Sequence, residues 1–238
     1  MIQFYSPDIK ETRELGAEDS AHCVRVLRKG SGDRIFVVDG KGTRYECEIL
    51  LASPKKVSVE ILAEERIEPN WDSRIELYVA PTKNGDRLEW LVEKGVEIGV
   101  DRIVPLICER SERRHQKTER LQKIAVSAMK QSLKATLPEI LEPVKFRDLM
   151  KEEFEGEWVM GYCNEEVERV RFCDVYDPHR PVRILIGPEG DFSPSEVEMA
   201  FGRGVKGVTF GRERLRTETA ALAAVHSAQL MQEMSAGK

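Results

Sequence analysis

Two short segments bring together residue types suited to holding an anionic or nucleotide-like ligand. In the first, Gly187-Pro188-Glu189-Gly190-Asp191 follows the apolar run Val182-Arg183-Ile184-Leu185-Ile186. The run predicts a strand, and glycines in the turn at its end let a ligand come close to the backbone. Ser193, Pro194 and Glu196 then match a capping box, so the turn opens a helix. A turn at the C-terminal end of a parallel strand is where α/β sheets bind ligands. The pattern is neither Gly-x-Gly-x-x-Gly nor a phosphate loop ending in Gly-Lys-Ser/Thr, which disfavours a dinucleotide or an ATP γ-phosphate. Taken alone, the segment is equally compatible with a purely structural turn.

The second segment, Arg212-Glu213-Arg214-Leu215-Arg216-Thr217-Glu218, follows another expected strand, Gly207 to Gly211. Thr217 is the expected cap of a helix from Glu218 to Met231, whose apolar face carries Ala221, Leu222, Val225 and Leu230. Three arginines on a loop that runs into a helix N-terminus make an anion site, because the guanidinium groups and the free N–H groups point the same way. The plainer reading is a solvated basic loop. Two Gly-containing loops at two strand ends of one sheet favour a joint site.

The elements that must position these loops fall into two groups. Asp33–Asp39 and Thr43–Leu50 flank Gly40-Lys41-Gly42 as a hairpin, and Val57–Ile61 is a third alternating strand. With a short helix over Ala21–Arg28, stopped by Gly30, they suggest a small β-barrel. The polar, Pro-containing stretch Glu64–Asp72 is the expected boundary, giving domains at residues 1–68 and 72–238. Beyond it, strands at Ile75–Ala80, Arg102–Ile107, Trp158–Met160 and Val182–Ile186 alternate with helices over Arg87–Ile98 and Glu119–Leu133. That alternation predicts an α/β domain with a mostly parallel sheet covered on both faces.

Composition limits the function. The 238 residues are 41% hydrophobic and carry a net charge of −5. No run of eighteen apolar residues suggests a membrane span, and Met1–Pro7 lacks the features of a secretory signal. The five cysteines, at positions 23, 47, 108, 163 and 173, are spread without metal-ligand or paired spacing, so reduced thiols and no metal site are expected. An acidic chain argues against nucleic-acid binding, but phosphate contacts depend on local clustering. Three segments are locally basic: Arg25–Lys29, Arg110–Lys123 and Arg203–Arg216.

Leu185-Ile186-Gly187-Pro188-Glu189-Gly190, followed by Leu215-Arg216-Thr217-Glu218-Thr219-Ala220, resembles the RsmE family of 16S ribosomal RNA (uracil-N3) methyltransferases in the SPOUT superfamily. His22 to Arg28 and Asp39-Gly40 look like that family's PUA-like RNA-binding barrel. Lys83, Asp86, Arg87, Glu89, Lys94, Glu97 and Gly99, then Glu109-Arg110-Ser111, Gln131-Ser132 and Pro138-Glu139-Ile140, fit as well. The chain departs from the family's pattern at Asp191 and Leu133, where glycine is usual, and at Glu213, Arg214, Lys130 and Lys134.

The resemblance implies a trefoil-knotted SPOUT domain after the barrel, a homodimer, a cytoplasmic location and S-adenosyl-L-methionine as cofactor. It implies cofactor binding by Leu185, Gly187, Pro188, Glu189, Gly190, Phe210, Gly211 and Leu215, largely through backbone groups. Arg216 would stabilise negative charge on the base or grip a phosphate, with Thr217 and Glu218 orienting it. Arg25, Arg28 and Lys29, with Lys83 and Arg87, would contact the RNA, either 16S rRNA or the small ribosomal subunit. Methylation of another base or a ribose 2′-hydroxyl, and RNA binding without catalysis, are the competing implications.

Overall fold

The computed structural model of the chain describes residues 2–69, 71, 73–163 and 169–236. Asn70 and Asp72, within the expected boundary, lie outside the described residues. The chain divides into two compact units, Met1–Pro69 with Val126–Leu137, and Asn70–Ala125 with Pro138–Lys238.

The first unit contains β1 (Gln3–Tyr5), α1 (Ile9–Thr12), α2 (Ala17–Ala21), β2 (Arg34–Val38), β3 (Thr43–Ser53) and β4 (Lys56–Arg66). Its sheet has the order β1-β2-β3-β4. Period-two alternation does the folding here: Ile35 and Val37, Tyr45, Cys47 and Ile49, then Val57 and Val59 all point into one buried cluster. The sheet curls back on the chain before α2, where Leu15 N–H donates to Val57 and Val59 N–H donates to the Arg13 carbonyl, so most of a barrel is closed. At the hairpin, Gly40 and Gly42 have φ of 74° and 97°. The Asp39 carboxylate accepts from the N–H groups of Lys41 and Thr43 across that turn.

Two expectations for this unit are corrected. The helix begins at Ala17 rather than Ala21, and its second half, His22–Val26, winds as a π-helix. Gly16 precedes it without a side-chain cap, and a π-turn breaks the 3.6-residue period, so neither usual signal was present. The third strand runs on through Glu64, Glu65 and Arg66, taking in residues expected to form the boundary.

The second unit contains β5 (Ile75–Val79), α3 (Gly85–Ile98), β6 (Arg102–Ile107) and the start of α4 (Thr118–Gln131). After it come β7 (Glu139–Ile140), β8 (Val144–Lys145), α5 (Phe146–Leu149), β9 (Glu157–Gly161), β10 (Val170–Arg171) and α6 (Phe172–Val175). The C-terminal part adds β11 (Val182–Ile186), α7 (Pro194–Gly202), β12 (Lys206–Thr209) and α8 (Thr217–Ala236). The strands are ordered β10-β12-β9-β11-β5-β6-β7, with β8 beside β6, and the pairings within this sheet are parallel.

β5 and β11 are buried at all five positions, as strands covered on both faces should be. Tyr78, Val104, Leu106, Met160 and Leu185 face one core with Phe146, Leu149, Phe192, Val197 and Ala200 from α5, α7 and the loop before α7. α8 packs on α3, β5 and β11. After β12, near the edge of the sheet, the chain thus returns to its middle. Because all the strands run one way, the loops after β5, β6, β9, β11 and β12 share one edge.

Candidate active site at the strand ends

The loop after β11 is fastened from several sides. Gly187 is buried, and a Cβ there would meet the Phe192 ring at 3.0 Å, so any larger residue would press the ring aside. The Glu189 carboxylate accepts from Lys83 N–H at 3.0 Å, which ties the loop to the end of β5. Arg110, from the loop after β6, donates to the carbonyls of Gly190 and Phe192 at 2.9 and 3.2 Å. Asp191 sits in the left-handed region at φ 62°. Its carboxylate accepts from Cys163 N–H, after β9, at 3.1 Å and from Phe192 N–H at 2.9 Å.

The capping box forms as expected, with Ser193 accepting from Glu196 N–H and Glu196 accepting from Ser193 N–H. The other oxygen of buried Glu196 accepts from Glu109 N–H at 2.8 Å. The Glu109 carboxylate in turn takes the Ser195 hydroxyl at 3.3 Å. The hydroxyls of Ser193 and Ser195 hold the Glu109 carboxyl below the ordinary carboxylate range.

The second loop comes to the same place. Thr217 is the first residue of α8, and its hydroxyl donates to the Gly187 carbonyl at 3.2 Å. This corrects the expected cap: Ala220 N–H already bonds to the Arg216 carbonyl, so the helix starts one residue early. The Thr217 hydroxyl joins the two loops instead. Buried Glu218 pairs with Arg87 at 3.5 Å. Arg216 is exposed and, among the described residues, has no carboxylate partner. Phe210 packs against Phe172, with ring centroids 5.3 Å apart. Gly211 faces open space and Leu215 is half-buried.

Of the residues expected to hold a cofactor, Gly187, Pro188, Glu189 and Gly190 form one loop, and Phe210, Gly211 and Leu215 lie along the other. Leu185 directs its side chain into the core, leaving only its backbone available. Lys83 pairs with Glu112 at 3.0 Å, so the charges of Lys83 and Arg87 are both partly neutralised. In the first unit, Arg25 and Arg28 are exposed, and Lys29 pairs with Asp33 at 3.6 Å.

Residue type alone did not reveal the roles of Arg110 and Asp191, since both act on backbone groups of distant segments. A signal existed for Asp191. It and Leu133, the two departures at usual glycine positions, both have left-handed backbones, at φ 62° and 58°.

Residues 69–229 match a family described as the RNA methyltransferase domain, and residues 15–62 match its RNA methyltransferase PUA domain. Ribosomal RNA small subunit methyltransferase E of Aquifex aeolicus is 32% identical, with 94% of this chain and 97% of that protein covered. The crystal structure of a probable rRNA-methyltransferase from Porphyromonas gingivalis is 42% identical with a TM-score of 0.94, covering 99% of this chain and all of that one. The small subunit methyltransferase E of Neisseria gonorrhoeae, solved bound to S-adenosyl methionine, is 29% identical with a TM-score of 0.85, covering 97% and 98% of the two chains. The chain belongs to the RNA methyltransferase family, with that family's PUA domain ahead of its methyltransferase domain.

Proposed function

We propose that the protein methylates N3 of a uridine in 16S ribosomal RNA, using S-adenosyl-L-methionine. The observation that carries this reading is the meeting of the Gly187–Gly190 and Arg212–Arg216 loops at one edge of a parallel sheet, joined by the bond from Thr217 to Gly187. The cofactor suits this setting: glycines and backbone groups dominate, Gly211 opens onto space, and no carboxylate neutralises Arg216 among the described residues. When bound, S-adenosylmethionine supplies a methyl group already activated by its sulfonium charge.

The chain's own residues have three tasks. The fastened loops hold the reacting partners in line, where positioning provides most of the acceleration. Arg216 stabilises the uracil anion formed as N3 loses its proton, acting as a fixed positive group where charge develops. Thr217 and the Glu218–Arg87 pair keep the start of α8, and so Arg216, in place. N3 lies on the Watson–Crick edge, so the target base must be unpaired or flipped out.

The proposed division of labour gives residues 1–68 the RNA backbone, through Arg25, Arg28 and Lys29, and residues 72–238 the chemistry. We further propose a cytoplasmic homodimer. Exposed Trp90 on α3 with Leu230 and Met234 on α8 support an apolar contact surface on a pair of helices that pack together.

The test is methyl transfer from labelled S-adenosylmethionine to small ribosomal subunits lacking the modification, followed by nucleoside analysis. N3-methyluridine is the expected product, and label confined to another nucleoside rejects the proposed target.

A further inference from the structure

In the second unit, cations away from the site are mostly matched. Arg74, Arg102 and Arg183 meet Glu76, Lys94 meets Glu93 and Glu97, and Arg120 meets Glu89. Lys151 meets Asp148, Arg171 meets Asp174 and Arg203 meets Glu153. The loop between β6 and α4 is different. Among the described residues, Arg113, Arg114 and Lys117 have no carboxylate partner. Arg114 donates only to the Glu109 carbonyl, at 2.8 Å, which leaves its charge uncompensated. Both acids near the loop's start are engaged elsewhere, Glu109 with Ser195 and Glu112 with Lys83.

This loop leaves the same strand edge as the candidate site and is fixed to it, since its Arg110 clasps the Gly190 and Phe192 carbonyls. Arg113 reaches the first turn of α3, where a Cβ on Gly85 would run into its guanidinium. Two residues further on, Arg87 of the same helix pairs with Glu218 beside Arg216. Among the described residues, cations without a carboxylate partner on two loops, Arg113, Arg114 and Lys117 on one and Arg212, Arg214 and Arg216 on the other, therefore line one edge of an acidic protein. Solvated surface charge alone gives no reason for unmatched cations to gather where the sheet presents its site.

We propose that the β6–α4 loop grips the phosphate backbone of the substrate RNA next to the target base, through Arg113, Arg114 and Lys117. It thus forms a second RNA contact, separate from the one assigned to the first unit. The inference rests on the reading of the protein as an RNA methyltransferase. Phosphates neutralise such cations and release counterions, so binding through them weakens steeply with salt.

The test is binding of purified 16S rRNA across a KCl series, with the full-length protein. The Arg113→Ala/Arg114→Ala/Lys117→Ala variant should bind at least about tenfold more weakly, and its salt slope should fall by about 2 to 3, at roughly 0.7–0.9 per phosphate contact. S-adenosylmethionine affinity and melting temperature should stay at wild-type values. A charge-matched control at the opposite strand edge, Lys151→Ala/Arg203→Ala/Lys206→Ala, should bind rRNA like wild type. The Arg113→Lys/Arg114→Lys variant should recover most of the affinity, because it keeps the charge. Equal rRNA affinity and salt slope in the loop variant and the control overturn the inference and leave the methyltransferase reading standing. A wild-type protein that binds S-adenosylmethionine but holds 16S rRNA at no salt concentration overturns both.

Discussion

At the edge where the strands of the parallel sheet begin, Glu76 is buried and takes three arginines. Arg74, Arg102 and Arg183 approach it at 3.1, 2.9 and 2.7 Å. Arg183 also meets Glu152 at 2.9 Å and lies over the rings of Tyr78, Phe154 and Trp158. At the edge where the strands end, among the described residues, the arginines of the β6–α4 and β12–α8 loops bond to carbonyls or have no carboxylate partner, and Glu189, Asp191 and Glu196 cap backbone N–H groups. One edge thus satisfies its charges internally, so they serve the fold. The other uses its carboxylates on backbone N–H groups and its Arg110 on carbonyls, and among the described residues leaves positive charge for something outside the chain. The function of an arginine here follows from its partner more than from its position in a motif.

The largest effect is expected at the matched edge. Glu76→Ala leaves buried Arg183 without its closest carboxylate, and removing one member of a buried pair costs about 3–5 kcal/mol. Denaturant unfolding should register that loss; a change under 1 kcal/mol would remove the network from the fold's main supports. Next in size is Arg216→Ala at the open edge. Turnover should fall about a hundredfold, the usual consequence of removing one preorganised group at a developing charge. Calorimetry should give unchanged S-adenosylmethionine affinity and a wild-type melting temperature, and normal turnover would take Arg216 out of the mechanism.

Asp191→Gly should have a smaller effect. Glycine accepts φ 62° freely but releases the N–H groups of Cys163 and Phe192. A typical net hydrogen-bond contribution of about 0.5–1.5 kcal/mol corresponds to a roughly two- to tenfold weaker S-adenosylmethionine affinity, with Asp191→Asn restoring part of it. Affinity equal to wild type in the glycine variant would show that this tie does not shape the loop.

The smallest effect concerns pH. Glu109 has a folded-state pKa below its ordinary 4.5, because the hydroxyls of Ser193 and Ser195 favour its charged form. Its contribution is complete above about pH 4.5 and is lost as pH falls through the folded value. Acid unfolding followed by circular dichroism should therefore begin at higher pH in wild type than its neutral-pH stability alone predicts, and Glu109→Gln should flatten that limb. An identical acid profile in the variant would exclude the contribution.

Much of this protein was determined by local sequence. The apolar strand Val182–Ile186, the capping box at Ser193–Glu196 and the glycine turn between β2 and β3 follow from residue type and spacing, because each is settled within a few residues, whereas the burial of Arg183 within that strand depends on distant Glu76. The paired motifs around Gly187 and Arg216 carried the family as well. The tertiary structure alone decided the partners. Arg110 reaches across 80 residues to Gly190, Asp191 reaches 28 back to Cys163, and Thr217 turns its hydroxyl 30 residues away to Gly187 instead of capping its helix. A hydrogen bond between distant segments depends on which strand ends are neighbours, and a parallel sheet ordered β9-β11-β5-β6 sets that through crossovers no local pattern encodes. The same holds for charge: the sequence contains 37 basic residues, and only the fold determines which of them are left without a carboxylate.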